Sequence, residues 1–429
     1  MSFRKRRDVL KGVSGLTVGA MTGLAGCSGD GNGGNGNGNG GGNGNGDGDG
    51  GDGGGGASGT IHIGHLAALS GPFATIGEPS RKGADLAAQQ INGSDADIEI
   101  EVTHADTEAS PETGVTRARE LVQQEDVDVL MGFGSSSVAK SVSEFANTQD
   151  TLCVATIAQT PDINTSNCNS VTFRTASNLD QLTTALAQTT NELTDGTRVA
   201  GILPDYTFGQ QTWEVYRNQM ESFGAEIVNE TFPSFGKGDY QNEIQETLGA
   251  DPDIVYTSMW AGDLITFIQQ ANGFDFFAEI PEFVAGSGAI TDVSRSLGSD
   301  MQEMIALDRY FFEHPDTERN QAFVDAWRSE YDEIPVNVGQ ETYAGVYGVF
   351  EAANAAGGTS TDDLTSGLEG LEWDAPEGTK TMRAADHQVI DENIWTGRVG
   401  PVDDLDFYGF TEMIPVDGES VTPEPNCDL

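Results

Sequence analysis

From Thr60 onward, short apolar runs alternate with longer stretches whose apolar positions recur every three or four residues. The first pattern fits buried strands and the second fits amphipathic helices. In chain order the spacing predicts strands at Ile61–Leu69, Ile98–Thr103, Val127–Met131 and Leu152–Ile157, then a short extended piece at Val171–Arg174. Helices are predicted at Pro79–Ile91, Pro111–Gln123 and Val138–Gln149. A second series alternates helix Leu179–Leu193, strand Arg198–Leu203, helix Gln210–Phe223 and strand Glu226–Phe232. It continues with helix Tyr240–Leu248, strand Ile254–Ser258, helix Asp263–Asn272 and strands Phe283–Ala285 and Met304–Leu307. Two long helices follow, Glu318–Tyr331 and Gln340–Ala356, and Thr379 to Gly409 reads as extended.

Strands and helices alternating at this spacing call for mostly parallel sheets covered by helices. No sequence repeat is present, only two α/β halves of similar plan. The expected fold is therefore α/β, with two doubly wound lobes joined by three crossover strands near Arg174, Asp308 and Thr379. Lobe 1 would hold 60–175 plus 309–378, and lobe 2 would hold 176–308 plus 379–429. Open α/β sheets bind ligands beyond their strand ends, so the cleft between the lobes is the expected site.

The beginning of the chain has a different pattern. Arg4-Lys-Arg-Arg-Asp-Val-Leu10 precedes a short, glycine-rich apolar run and then Leu24-Ala-Gly-Cys27. A twin-arginine start of this kind is an export address, and the apolar part is too short to span a bilayer stably. Leu-Ala-Gly-Cys resembles a lipobox, which makes 1–27 a leader and Cys27 the lipidated residue. Residues 28–59 are almost wholly Gly, Asn and Asp, a flexible tether with nothing to bury. Its root-mean-square reach is roughly 30 Å. The arrangement predicts a body exported and lipid-anchored at the outer face of the cytoplasmic membrane.

Charge narrows the partners. The 429 residues carry 68 acidic and 21 basic side chains, for a net charge of −47. Such a surface repels nucleic acid and anionic lipid. The acids are spread along the periodic segments, and lysine is scarce, the pattern of a halophilic protein whose repulsion is screened by salt. Of the cysteines beyond Cys27, Cys153 lies in an apolar run and reads as a buried hydrophobe. Cys168 and Cys427 lie in polar loop and tail sequence, and a disulfide between them fits an exported protein; spacing leaves Cys153–Cys168 open as an alternative.

One stretch concentrates the candidate chemistry. The apolar run ending at Met131 leads into Gly132-Phe-Gly-Ser-Ser-Ser-Val138, a strand delivering three serines to a helix start. Helix starts carry unpaired N–H groups and attract anions, although one serine could equally cap the helix.

Taken with its neighbours, this stretch resembles the branched-chain amino-acid (Leu/Ile/Val) binding proteins of ABC importers, with the type I periplasmic-binding fold, here as a haloarchaeal-type lipoprotein. The matching pieces span roughly 60–410. They are Leu69-Ser-Gly-Pro72 with Gly77, Gly134-Ser-Ser-Ser137, Pro161-Asp-Ile163, Phe173-Arg-Thr175, Asp205-Tyr-Thr-Phe-Gly209, Thr342-Tyr-Ala344, Ala375-Pro-Glu-Gly378 and Arg383-Ala-Ala-Asp-His-Gln388. The resemblance implies that Ser135, with Ser136, binds a ligand carboxylate. It implies that Ala158 and Gln159 in the loop Ile157–Thr160 complete the clamp, with Thr160 or Thr156 covering for the hydroxyl that Gln159 replaces. In the second lobe Phe208 and Trp260 stand where the family has tyrosines. Ser287 stands where the family has the acid that grips the ligand ammonium. An ammonium buried without a counter-charge is expensive, so either Glu341 or Asp263 substitutes or the ligand has no ammonium. Phe73 and Ile76, with Phe208 and Trp260, would line the pocket.

Catalysis finds no support: the sequence has no Gly-x-Ser-x-Gly elbow, no phosphate loop and no Cys-x-x-Cys, and its five histidines show no metal-ligand spacing. His62 and His65 fall on opposite faces of a strand. No cofactor is expected. The reading is a monomeric receptor that passes a hydrophobic amino acid to an ABC permease. Its rivals are a receptor for short amides, urea or aromatic carboxylates, and a ligand-sensing subunit of a signalling complex.

Overall fold

The computed structural model describes residues 57–429 except Ala289, Asp404 and Asp428, so the leader, Cys27 and the tether to residue 56 lie outside the described residues. The chain starts with β1 (Gly59–Ala67), α1 (Ala74–Asn92), β2 (Ile98–Asp106), α2 (Pro111–Gln124), β3 (Val129–Gly132), α3 (Ser136–Gln149), β4 (Leu152–Ala155) and β5 (Thr172–Arg174). It crosses to α4 (Leu179–Leu193), β6 (Arg198–Ile202), α5 (Thr207–Ser222), β7 (Glu226–Thr231), α6 (Gln241–Gly249) and β8 (Ile254–Thr257). There follow α7 (Ala261–Asn272), α8 (Phe276–Glu279), β9 (Glu282–Gly288), α9 (Ile290–Leu297) and β10 (Met304–Asp308). The return brings α10 (Glu318–Tyr331), α11 (Asn337–Ala356), α12 (Thr361–Leu368), β11 (Glu372–Ala375), β12 (Gly378–Arg383) and β13 (Gln388–Asp391). The chain closes with β14 (Asn393–Pro401), β15 (Tyr408–Asp417) and α13 (Gly418–Val421).

Two sheets result. The first runs β11-β12-β13-β5-β4-β3-β1-β2 and the second β15-β14-β10-β9-β8-β6-β7. Strands β3 and β4 are buried at every position, as a parallel sheet covered on both faces requires. Local signals start the helices where the sequence suggests. Ser110 accepts from the Thr113 N–H ahead of Pro111 in α2, and Asn178 forms a reciprocal capping box with Gln181 in α4. Helix α1 instead begins five residues before Pro79, which sits inside it. A Cβ on Gly83 would stand 2.0 Å from the Gly339 carbonyl oxygen, so α1 and α11 approach closely over the first sheet.

The expected lobe boundary at Thr379 is corrected. Strand β12 pairs antiparallel with β13, and β13 adds to β5 through Gln388 opposite Arg174, which keeps residues 379–391 in the first sheet. The third crossing is therefore at Glu392. His387, left-handed at φ 55°, and the Arg383–Asp386 ion pair at 2.6 Å shape this turn in place of a glycine signal. Helices α9 and α12 also have no counterpart in the periodicity reading. In α12 only Leu364 and Leu368 are buried, too few to register as a pattern.

Cys168 and Cys427 are joined, with Cα atoms 6.0 Å apart. Cys153 is buried, and burial pushes its thiol up to about 12. The tail leading to Cys427 leaves the second lobe at Val421, which packs in that lobe's core. It then meets the first lobe where Arg383 donates to the Pro423 carbonyl at 2.8 Å. Among the described residues no helix is long and apolar enough to cross a membrane.

Candidate functional site

The turn from β3 into α3 is conformationally forced. Gly132 has φ 117° and Phe133 φ 73°, the latter a non-glycine in the left-handed region, where strain collects at binding turns. Ile76 backs this turn, since a Cβ on Gly134 would lie 3.1 Å from its Cγ2. Ser135 occupies the N-cap position of α3 in extended conformation, yet its side chain caps no N–H; its Oγ lies 3.0 Å from the Ser137 Oγ. The first turn of α3 therefore presents unpaired N–H groups and three partly or fully exposed hydroxyls.

The neighbouring loop, Ile157–Thr160, has every carbonyl engaged. Arg309 donates to Ile157 O at 3.0 Å, and the Leu179 N–H donates to Gln159 O at 3.0 Å. Arg174 donates from its two terminal nitrogens to Ala158 O and Thr160 O, and from Nε to Asn164 Oδ1 at 2.8 Å. Its guanidinium is completely buried, and burial lowers it to about 9 against the opposing pull of Asp180 and Asp162. The N–H groups of Ala158, Gln159 and Thr160 bond to no other described residue. Thr156 is turned into the core, whereas Thr160 keeps its O–H to donate. Thr156 is fully buried with its Oγ1 3.1 Å from that of Thr342, and Thr160 Oγ1 accepts from the Asp162 N–H.

The second lobe contributes an aromatic cluster. The Trp260 indole donates to the Tyr206 hydroxyl at 2.8 Å and stacks on Phe235 with centroids 5.3 Å apart. Tyr206 in turn stacks on Phe208 at 5.9 Å. Phe73, from the first lobe, reaches Trp260 at 5.6 Å, so the two lobes meet through these rings. Burial pushes the Tyr206 hydroxyl up to about 12. Ser287, at the end of β9, is buried with an unpartnered Oγ.

Each candidate for a cation grip has a protein neighbour. Asp263 accepts from the Gly236 N–H at 2.8 Å. Glu341 is buried against Arg309, Oε2 to Nη1 3.0 Å, and burial pushes its carboxyl up to about 8 although Arg309 opposes the shift. It belongs to the hinge, where the three crossings meet. There Lys380 Nζ lies 2.7 Å from Glu377 and 2.5 Å from Asp391, Ser177 donates to Asp391, and Gln340 donates to Glu377. These charges surround a cavity of about 10 Å³, room for about one water.

The structure places Ser135 and Ser136 after β3 and Ala158 and Gln159 after the adjacent β4, joins Phe73 to Trp260, which reaches Phe208 through Tyr206, and puts Glu341 beside Arg309 at the hinge. Sequence reasoning missed Arg174, Arg309, Tyr206 and Phe235. The runs Phe173-Arg-Thr175 and Asp205-Tyr-Thr-Phe-Gly209 were visible without a role for Arg174 or Tyr206, and Phe235 lies on a loop where no periodicity marks it. Three of the histidines have protein partners away from the cleft walls. His65 bonds to Ser80 at 2.8 Å and His104 at 3.0 Å, with burial pushing it down to about 3, and His387 stacks on Phe173.

Comparison with known proteins gives the family and the fold. The family profile described as periplasmic binding protein matches residues 60–401. The Leu/Ile/Val-binding protein homolog 6 of Brucella melitensis biotype 1 is 23% identical over 357 residues, covering 81% of this chain and 90% of that protein. An amino acid ABC transporter substrate-binding protein from Pseudomonas fluorescens Pf-5 superposes with a TM-score of 0.78 at 20% identity, over 87% of this chain and all (100%) of that one. A solute binding protein of an ABC transporter from Rhodopseudomonas palustris BisB5, in complex with 3,4-dihydroxybenzoic acid, gives 0.76 at 22% identity over 84% and 98% of the two chains.

Proposed function

Because the chain belongs to the periplasmic binding protein family, the non-enzymatic solute-binding components of ABC transporters, we propose that its lobes close on a small aromatic carboxylate and present it to a permease. The observation that carries this reading is the contrast between the two walls. The first lobe offers the α3 N-terminus, Ser135 and three unpaired loop N–H groups, all donors suited to a carboxylate. The second lobe offers rings and an unpartnered serine, while Asp263 and Glu341 are already engaged. An amino acid's ammonium would have to compete with the Gly236 N–H for Asp263 or with Arg309 for Glu341. The Rhodopseudomonas palustris protein with its bound dihydroxybenzoate adds support of the same kind.

Closure requires the hinge to rearrange, and only a ligand bridging both walls offsets that. Upstream, the twin-arginine start and Leu24–Cys27 favour export and attachment through Cys27, and the acid excess favours work in concentrated salt. Thermal-shift and calorimetric titration with benzoate, 4-hydroxybenzoate, leucine, phenylalanine, benzamide and urea in high salt tests the ligand class. The expected order places the aromatic acids first. Tighter binding of leucine or phenylalanine than of benzoate would overturn it in favour of an amino-acid receptor, and preference for benzamide or urea would favour an amide receptor.

A further inference from the structure

We infer that Arg174 and Arg309 are the positioning residues of the anion clamp, holding the carbonyls of Ile157–Thr160 inward so that the N–H groups of this loop face the ligand. The argument begins with the peptide unit, which is planar and trans, so that C=O of one residue and N–H of the next point in opposite directions. Arg309 takes Ile157 O, which turns the Ala158 N–H the other way. Arg174 takes Ala158 O, which turns out the Gln159 N–H, and the Leu179 N–H takes Gln159 O, which turns out that of Thr160. Arg174 also takes Thr160 O, and the next residue, Pro161, has no N–H to place. The three donors fixed in this way bond to no other described residue, which is also true of the Ile157 N–H at the start of the loop.

Both guanidiniums are buried behind the loop, Arg174 completely and Arg309 with 6% of its side chain exposed, so the outward direction is away from the interior. Arg174 also places a positive charge behind donors that await an anion, while that of Arg309 is paired with Glu341. A fork-shaped guanidinium suits Arg174's task, because it spans Ala158 O and Thr160 O at once, which a lysine ammonium on a single stem does less well. Arg309 adds a link to the hinge. It follows Asp308 directly at the second crossing, pairs with Glu341 on α11 and bonds the clamp loop, so the loop is tied to the segment that must move when the lobes close.

This inference rests on the carboxylate reading above, and its test separates the two. The double variant Arg309→Gln/Glu341→Gln replaces a buried ion pair by two neutral amides and leaves no lone charge. Arg174→Lys is the second variant and keeps the charge while losing the fork. Two readouts are taken on each. The first is hydrogen exchange of the Leu179 amide in ligand-free protein, since its bond to Gln159 O reports the loop's position. The second is the ratio of benzoate to benzamide affinity, two ligands of nearly equal shape. Exchange at Leu179 should rise at least tenfold with β4 amides unchanged, and the benzoate preference should fall at least tenfold. Unchanged exchange in both variants would overturn the inference, as would an unchanged ratio. Wild-type protein that shows no preference for benzoate would overturn the carboxylate reading alone, and the exchange measurement would still decide the role of the arginines.

Discussion

Ser135→Ala tests the clamp most directly, because the structure separates its effect on binding from its effect on stability. A serine that caps a helix contributes about 1 kcal/mol, lost on substitution by alanine. Ser135 stands at the N-cap of α3 without accepting any cap hydrogen bond, its Oγ lying 3.0 Å from that of Ser137. Its removal should therefore leave the denaturation midpoint within about 0.5 kcal/mol of wild type, the range of an inert surface change. Binding should respond differently. A hydroxyl donating to a carboxylate contributes about 1–3 kcal/mol, or roughly a five- to 150-fold loss of affinity. Ser110 supplies the opposite control: it does cap α2, accepting from the Thr113 N–H at 3.3 Å, and it lies outside the clamp. Ser110→Ala should lose about 1 kcal/mol of stability and no affinity. Urea denaturation gives the first quantity and calorimetric titration with benzoate the second, both in the same high-salt buffer. If Ser135→Ala melts like Ser110→Ala with benzoate affinity intact, Ser135 is a cap and the clamp assignment is wrong.

Other consequences are equally specific. Burial pushes the Asp308 carboxyl up to about 7, although Thr291 and Asn337 donate to it. The folded state thus holds this proton to higher pH than the unfolded chain, so its contribution is present below about pH 4 and is lost as pH rises through 7. Asp308→Asn should flatten, without abolishing, the fall in stability between about pH 4 and 7, because Glu341 acts in the same direction and remains; it is read from denaturation midpoints, and an unchanged slope refutes the assignment. A Cβ on Gly77 would stand 1.9 Å from the Ala68 carbonyl oxygen, so Gly77→Ala should lose about 1–3 kcal/mol by overpacking, visible as a lower melting temperature. Cys168→Ser/Cys427→Ser opens a loop with a sequence separation of 259 and should lower stability by up to about 5 kcal/mol on chain-entropy grounds. No change on chemical denaturation would show that the tail adds nothing.

What could be read from the chain before any coordinates follows from how local each feature is. Alternating strands and helices report their own burial, which is why β3, α3 and the serines between them were visible as one unit. The hinge was not, because its ion pair Arg309–Glu341 joins residues far apart and nothing local marks Glu377 and Lys380 as buried partners. Arg309 finds Glu341 across 32 positions, and Arg174 finds the 158–160 carbonyls through a loop. Nothing in a single sequence says which of its arginines will be buried. The stretch from Thr379 to Asp391 misled for a related reason. Its extended character was plain, but β12 and β13 turn at Ala384–His387 with no Asn-Gly or Asp-Gly signal, and sheet membership is decided by the partner strand β5. The aromatic wall was half legible, since Phe208 and Trp260 sit at helix starts, whereas Phe235 lies on a loop.

The bond between Cys168 and Cys427 makes a ring of covalent chain from the first lobe, through the whole of the second, and back. Every residue of β6 to β10 and of the hinge lies on that ring. A single cut by a protease anywhere inside it leaves one molecule, with both walls of the cleft still attached. The return strap is also short: from Val421 in the second lobe's core to Cys427 it can extend no further than about 20 Å. The same six residues that keep a nicked molecule whole therefore also cap how widely the cleft can gape.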